Sequence, residues 1–248
     1  MTVKNRCLLC LGPPESRLSW HTLLNPWAET TALCAACAAS LDRIQRIACR
    51  QCGRRSDGAA SYPNRWPDAE GTPDVAELCQ DCRAWREEQG SGVVTNRSLF
   101  TYNALMKDVV ATYKYRGDAA LAGLFVSGVK KLAASSNADL YTVIPLAEDR
   151  LFERGFNQAA LLAGDLPLTS LITRSGKTVG KQSKRGKEAR REELVGVFAL
   201  EEKRPDLSGK TVCIIDDLYT TGSTLYSASS LLYQAGAERV VSVTAVRA

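Results

Sequence analysis

The 248-residue chain has no run of 18 or more apolar residues, so no membrane-spanning helix is expected. Its first residues, MTVKNRCLLC, lack an apolar stretch followed by a small-residue cleavage site, and a cytoplasmic setting is expected. Histidine is almost missing: His21 is the single copy, and no nucleophile signature flanks it. No tryptophan follows Trp85, and only Cys213 follows Cys82 among the cysteines. These gaps divide the chain. They argue for two domains, residues 1–92 and 93–248, that meet at the Gly-Ser-Gly-Val-Val stretch of 90–94.

Charge is divided in the same way. Residues 1–92 hold 11 basic and 11 acidic side chains, so the whole formal excess of +5 belongs to the second part. Most of it lies between Arg174 and Arg191, where eight basic residues accompany one acid, Glu188. Without that segment the second domain would be slightly acidic. A local excess calls for a local explanation.

The eight early cysteines form four Cys-x-x-Cys pairs: Cys7/Cys10, Cys34/Cys37, Cys49/Cys52 and Cys79/Cys82. Two such pairs can supply four thiolates to a tetrahedral zinc ion, because each short loop aims both sulfurs at one metal. Four pairs therefore predict two structural zinc sites in a double zinc ribbon-like domain. A sequential assignment joins Cys7, Cys10, Cys34 and Cys37, then Cys49, Cys52, Cys79 and Cys82; spacing also permits an interleaved one. Disulfides are disfavoured in a reducing cytosol, and a redox pair expects a thioredoxin-like context that four scattered copies do not provide. With little apolar core in this part, zinc would supply much of its folding energy. The tryptophans are read as packing around the knuckles, with base stacking as the alternative.

The second part alternates short β-branched runs with helical patterns, which predicts an α/β domain with a mostly parallel sheet. Strands are expected at 140–145, 171–173, 195–200, 210–215 and 240–246, with helices at 154–163 and 222–235. Val212-Cys-Ile-Ile is continuous and apolar, as a strand buried on both faces requires, and Cys213 is read as core. Asp216 and Asp217 follow it directly. Adjacent carboxylates are costly to desolvate unless something satisfies them, and vicinal ribose hydroxyls are suited to that. Thr220-Thr-Gly-Ser-Thr then opens a helix, whose unpaired first-turn N–H groups and dipole favour an anion. Diol and phosphate a few residues apart describe a ribose 5-phosphate. The bland alternative is a turn and a helix cap.

The string VCIIDDLYTTGST resembles the motif by which type I phosphoribosyltransferases bind 5-phosphoribosyl 1-pyrophosphate (PRPP). That resemblance implies that Asp216 and Asp217 bind the ribose diol, and that Thr220, Thr221, Gly222, Ser223 and Thr224 bind the 5-phosphate. Three further strings narrow the match: Tyr113-Lys-Tyr-Arg-Gly-Asp118, Arg150 with Arg154-Gly-Phe-Asn-Gln158, and Gln182, Arg190 and Gly196-Val-Phe198. In this order, behind a cysteine-rich front end, they resemble the ComF-type late-competence family over nearly the full chain. Glu193 stands where that family commonly has Asn, and Arg185 where an apolar residue is usual.

The family resemblance implies a phosphoribosyltransferase-like fold and a role in bringing single-stranded DNA through the cytosol in natural transformation. Other competence proteins, a DNA-uptake helicase and a recombination mediator, are implied partners. Arg150 and Arg154 share a helix face and could clamp pyrophosphate oxygens, or could form an ordinary solvated face with Glu148, Asp149 and Glu153. Asn157 and Gln158 would position the same helix start. Lys181, Lys184, Arg185 and Lys187 suit nucleic-acid phosphate. The competing expectation is a working phosphoribosyltransferase using PRPP with Mg²⁺; no residue identifies its acceptor, and catalytic residues are not assigned. A PRPP-sensing regulator is a third reading.

Overall fold

The computed structural model describes residues 6–12, 33–58, 61–67, 73–90, 93–115, 119–174 and 197–248. In its first part, a short helix α1 (Ala35–Ser40) precedes a two-residue ladder of β1 (Arg46–Ile47) and β2 (Tyr62–Pro63), followed by α2 (Gln80–Gln89). Residues from β3 (Thr95–Thr101) onward form an α/β unit. After β3 come α3 (Ala104–Tyr115), α4 (Val126–Ala134), β4 (Leu140–Val143), α5 (Glu148–Arg154) and α6 (Gln158–Ala163). The chain then runs through β5 (Ile172–Arg174), β6 (Phe198–Leu200), β7 (Thr211–Tyr219), α7 (Ser223–Gln234) and β8 (Arg239–Arg247).

Four strands pair in the order β3-β8-β7-β4, and every pairing is parallel. β5 and β6 form a separate antiparallel pair. Parallel strands need covering on both faces, and the residues of β7 show it. Val212 and Ile214 belong to a core with α7, β5 and β6, whereas Cys213 and Ile215 belong to one with α3, α4 and α6. The cysteine-rich part packs on both. Cys49, Cys52, Cys82 and Trp85 lie in the first core, while Trp66, Leu8 and Leu9 meet the second. Among the described residues, no helix is long and apolar enough to cross a membrane.

Two expectations change. β7 does not stop at Ile215; it continues to Tyr219, so both aspartates lie inside the strand. The reason is β8, which keeps pairing alongside: Asp216 stands opposite Thr244, Leu218 opposite Val246 and Tyr219 opposite Arg247. The helix expected at 154–163 forms only from Gln158, as α6, because Arg154 is the last residue of a separate helix, α5. Gly155, at φ 74, closes α5 in the left-handed region, and Asn157 caps α6 by accepting from the amides of Ala159 and Ala160.

Candidate functional site

The C-terminal end of β7 and the start of α7 form the mouth of the sheet, where open α/β sheets place ligands. The amide of Asp217 donates to Oδ1 of Asp216 at 2.9 Å, so the Asp216 carboxyl is held against the strand backbone. Lys114, from the last turn of α3, places Nζ 2.8 Å from Oδ1 of Asp217, and both side chains are largely buried. Burial, reinforced by the negative charge of Asp217, pushes the Asp216 carboxyl up to about 7; Lys114 and Arg154 pull the other way. A carboxyl in that state can accept from a diol once deprotonated.

The loop of 220–224 is held from behind. The carbonyl of Thr220 accepts from Nη1 of Arg247 at 3.2 Å, and that of Thr221 from Nε1 of Trp85 at 3.3 Å. The hydroxyls of Thr221 and Ser223 bond to each other at 2.8 Å. Gly222 sits at φ 84, and a Cβ there would collide with the Tyr219 hydroxyl and come within 2.8 Å of the Tyr226 ring. Only glycine fits. Tyr226 is the residue whose amide donates back to the Gly222 carbonyl, at 2.9 Å, which begins the helical ladder of α7. The amides before it are first-turn donors of the kind that bind anions.

Arg150 and Arg154 part company. Arg150 meets Glu153 at 3.2 Å on the exposed side of α5. Arg154 donates to Oε1 of the buried Gln158 at 2.9 Å, and its charge reaches Asp216. Asn157, besides capping α6, donates from Nδ2 to the carbonyl of Ile144 at 3.0 Å, which ties the loop after β4 to that helix start. The Tyr113 hydroxyl donates to the Gln158 carbonyl at 2.8 Å, so the first two family-like strings touch. Lys181, Lys184, Arg185 and Lys187, with Gln182 and Arg190, lie outside the described residues, as do His21, Trp20 and Trp27.

The cysteines gather in two groups, Cys7/Cys10/Cys34/Cys37 and Cys49/Cys52/Cys79/Cys82, with all sulfurs of each group within 4.8 Å of one another. The pairing is sequential. The sulfurs of Cys10 and Cys34 are 3.7 Å apart and those of Cys52 and Cys79 3.8 Å. A tetrahedron with metal–sulfur bonds of about 2.3 Å has edges of roughly 3.8 Å, so the spacing fits a metal such as zinc, and disulfides at about 2.05 Å do not fit. Backbone amides point at sulfur, from Cys37 to Cys34 at 3.4 Å and from Cys79 to Cys49 at 3.3 Å. The second group also has buried cations beside it. Arg97 and Arg247 are 1% and 4% exposed; burial lowers the Arg97 guanidinium to about 10 against the pull of Cys49 and Cys52, whereas Arg247, which donates to Cys52, is raised in spite of its burial. Buried charges need such partners.

Sequence reasoning missed Lys114, Arg247 and the contact role of Trp85. Lys114 lay inside a string already singled out, with no local sign of its partner. Arg247 has no signal at all, since its partners are 27 and 195 residues away. The buried Trp66 and Trp85 are packing residues; Trp85 stacks on Tyr226 with centroids 4.2 Å apart.

Residues 154–248 match the phosphoribosyl transferase domain family. Over 97% of its length the chain is 33% identical to the competence protein ComFC of Bacillus subtilis, covering 94% of that protein. It is 30% identical to ComFC of Streptococcus pneumoniae over 98% of its own length and all of the relative's. Competence protein F of Haemophilus influenzae is 27% identical over 66% of this chain and 76% of that one. With a phosphoribosyltransferase-type sheet behind two tetracysteine groups, and with these identities over nearly its full length, the chain belongs to the ComFC family of competence proteins.

Proposed function

We propose that this protein serves natural transformation by handling incoming single-stranded DNA in the cytoplasm, and that it binds PRPP or a related ribose 5-phosphate at the β7–α7 mouth. The observation that carries the ligand reading is the run of Asp216, Asp217 and the 220–224 loop at one sheet end, with Lys114 and Arg154 supplying positive charge. Asp216 and Asp217 accept from the ribose hydroxyls. The first-turn amides of α7 and the hydroxyls of Thr220, Thr221, Ser223 and Thr224 hold the 5-phosphate. Arg154 faces the pyrophosphate, with Arg150 one turn before it on α5 free to leave Glu153 for the same oxygens, and Mg²⁺ would accompany the ligand. The competence role comes from kinship with the ComFC proteins.

In this reading residues 1–92 are the zinc-binding part and 93–248 the ribose-phosphate part. The basic stretch at 174–191 carries nucleic-acid phosphate, and other competence proteins, among them an uptake helicase and a recombination mediator, are its partners. Calorimetric titration of PRPP with Mg²⁺ tests the ligand: wild type binds, and Asp216→Asn/Asp217→Asn does not. Single-strand affinity should fall steeply with salt, and neutralising Lys181, Lys184, Arg185 and Lys187 should flatten the log–log slope by about 3, at roughly 0.7 per contact. An unchanged slope would remove that segment from the interface.

An enzymatic reading has one specific support, the Asp216 carboxyl held near neutrality at the place where a ribosyl ring would sit. It requires release of pyrophosphate from PRPP with a nucleobase present. Binding without release over hours leaves a ligand site and no transferase.

A further inference from the structure

Two residues join the second tetracysteine group to the 220–224 loop. Arg247 donates from Nη2 to the sulfur of Cys52 at 3.5 Å and from Nη1 to the carbonyl of Thr220 at 3.2 Å. Its guanidinium also lies over the ring of Tyr219, 4.3 Å from the centroid. Trp85 lies three residues beyond Cys82 on α2 and donates to the carbonyl of Thr221. It stacks on Tyr226, whose hydroxyl lies 3.7 Å from the Cys82 sulfur and receives Gln51 Nε2 at 3.2 Å. One connection starts at Cys52, the other beside Cys82. They end on consecutive carbonyls.

Peptide geometry gives this a consequence. In a trans peptide the carbonyl and the following N–H point in opposite directions within one plane, and the described chain has no cis bond. Holding the carbonyls of Thr220 and Thr221 toward the cysteine group therefore aims the amides of Thr221 and Gly222 away from it. Those amides open the proposed phosphate cradle. Arg247 is buried, and its guanidinium lies against the Cys52 sulfur. Metal-bound thiolates keep that charge in place; without the metal the guanidinium loses its reason to stay.

We propose that Arg247 and Trp85 are positioning residues that make ribose-phosphate binding at the 220–224 loop conditional on an intact metal centre at Cys49, Cys52, Cys79 and Cys82. The proposal rests on reading that loop as a phosphate site. By linkage the coupling is reciprocal: metal tightens ribose phosphate, and ribose phosphate tightens metal by the same factor.

The test uses the full zinc-loaded chain, with ribose 5-phosphate as ligand and a chromophoric chelator competing for zinc. Trp85→Phe keeps the stacking ring and removes the donor; Arg247→Gln keeps a polar side chain without the cation. Trp66→Phe is the control, because the Trp66 indole donates to Leu132 instead, at 2.8 Å. Wild type should bind ribose 5-phosphate, and saturating ligand should tighten one zinc equivalent. Trp85→Phe should retain its zinc, bind ribose 5-phosphate about three- to ten-fold more weakly, the effect of one lost hydrogen bond, and reduce the ligand's effect on zinc, as should Arg247→Gln. Faster amide exchange at Thr221 and Gly222 should accompany it, and Trp66→Phe should match wild type. If wild type fails to bind ribose 5-phosphate, the ligand reading falls and the proposal with it. If wild type binds and both variants keep its affinity and its ligand-dependent zinc retention, the coupling alone is overturned.

Discussion

Lys114 and Asp217, 103 residues apart, form a largely buried ion pair of 2.8 Å beside a second carboxyl, Asp216. The pair joins α3 to the sheet mouth and makes Lys114 the main counter-charge for two acids. Removing the cation leaves two neighbouring carboxyls in partial burial without their counter-charge. Lys114→Met should therefore destabilise the protein by about 2–3 kcal/mol at pH 8, as breaking a buried pair does. Lys114 pulls the Asp216 carboxyl down, so its loss raises that carboxyl further. The defect should shrink as pH falls and Asp216 takes up its proton, which removes one of the two neighbouring negative charges. Denaturant unfolding at pH 8 and pH 5 measures it, and equal losses at both would mean the pair is not electrostatic in effect.

Asp216 titrates near 7 in the folded chain, above the ordinary carboxylate range, chiefly because of burial. A raised folded value means the native state holds the proton more tightly. Its contribution is complete below about pH 4 and is lost as pH rises through about 7. Asp216→Asn has no proton to lose, so its stability relative to wild type should rise between pH 5 and pH 8, by about 2 kcal/mol. Thermal unfolding across that range checks the sign. The same substitution should abolish ribose-phosphate binding, and wild-type affinity should increase from pH 6 to pH 8.

Gly222→Ala meets both a left-handed backbone and the rings of Tyr219 and Tyr226. Strain of this kind costs about 1–3 kcal/mol. We expect that loss in stability together with at least a ten-fold drop in ribose 5-phosphate affinity, since the loop must move to admit the methyl. A variant that binds as wild type does would show that the loop is not the phosphate cradle.

Metal removal should proceed in two stages. Cys10 is exposed, whereas Cys49, Cys52 and Cys82 are buried in the core beside Trp85. Two zinc equivalents are expected by metal analysis. The first should leave rapidly to chelator with little change in Trp85 fluorescence; the second should leave slowly and take core packing with it. Simultaneous loss would contradict the difference in burial.

Much of the site was legible because its signals are local. Four short cysteine repeats announce two tetracysteine groups, and the run from Val212 to Thr224 announces strand, acids and helix start in thirteen residues. The helix after Gly222 was placed to within a residue, because glycine and hydroxyl residues mark a helix start at short range. The end of β7 was misplaced for the opposite reason: two aspartates resemble a strand stop, yet β8 continues to supply pairing partners.

By itself, then, the sequence determined three things: cysteines in fours, paired acids running into a Gly- and hydroxyl-rich helix start, and basicity confined to one stretch. Only the tertiary structure decided which cysteines share a centre, that Arg154 acts on Asp216 while Arg150 pairs with Glu153, and that Lys114 balances the acids. It also brought Arg247 to Cys52 and Trp85 to Thr221. Such contacts arise from the parallel order β3-β8-β7-β4, which packs the first part of the chain against strands formed by its last residues. Spacing along a chain reports only what neighbours can do together; burial and charge balance are settled where distant segments meet.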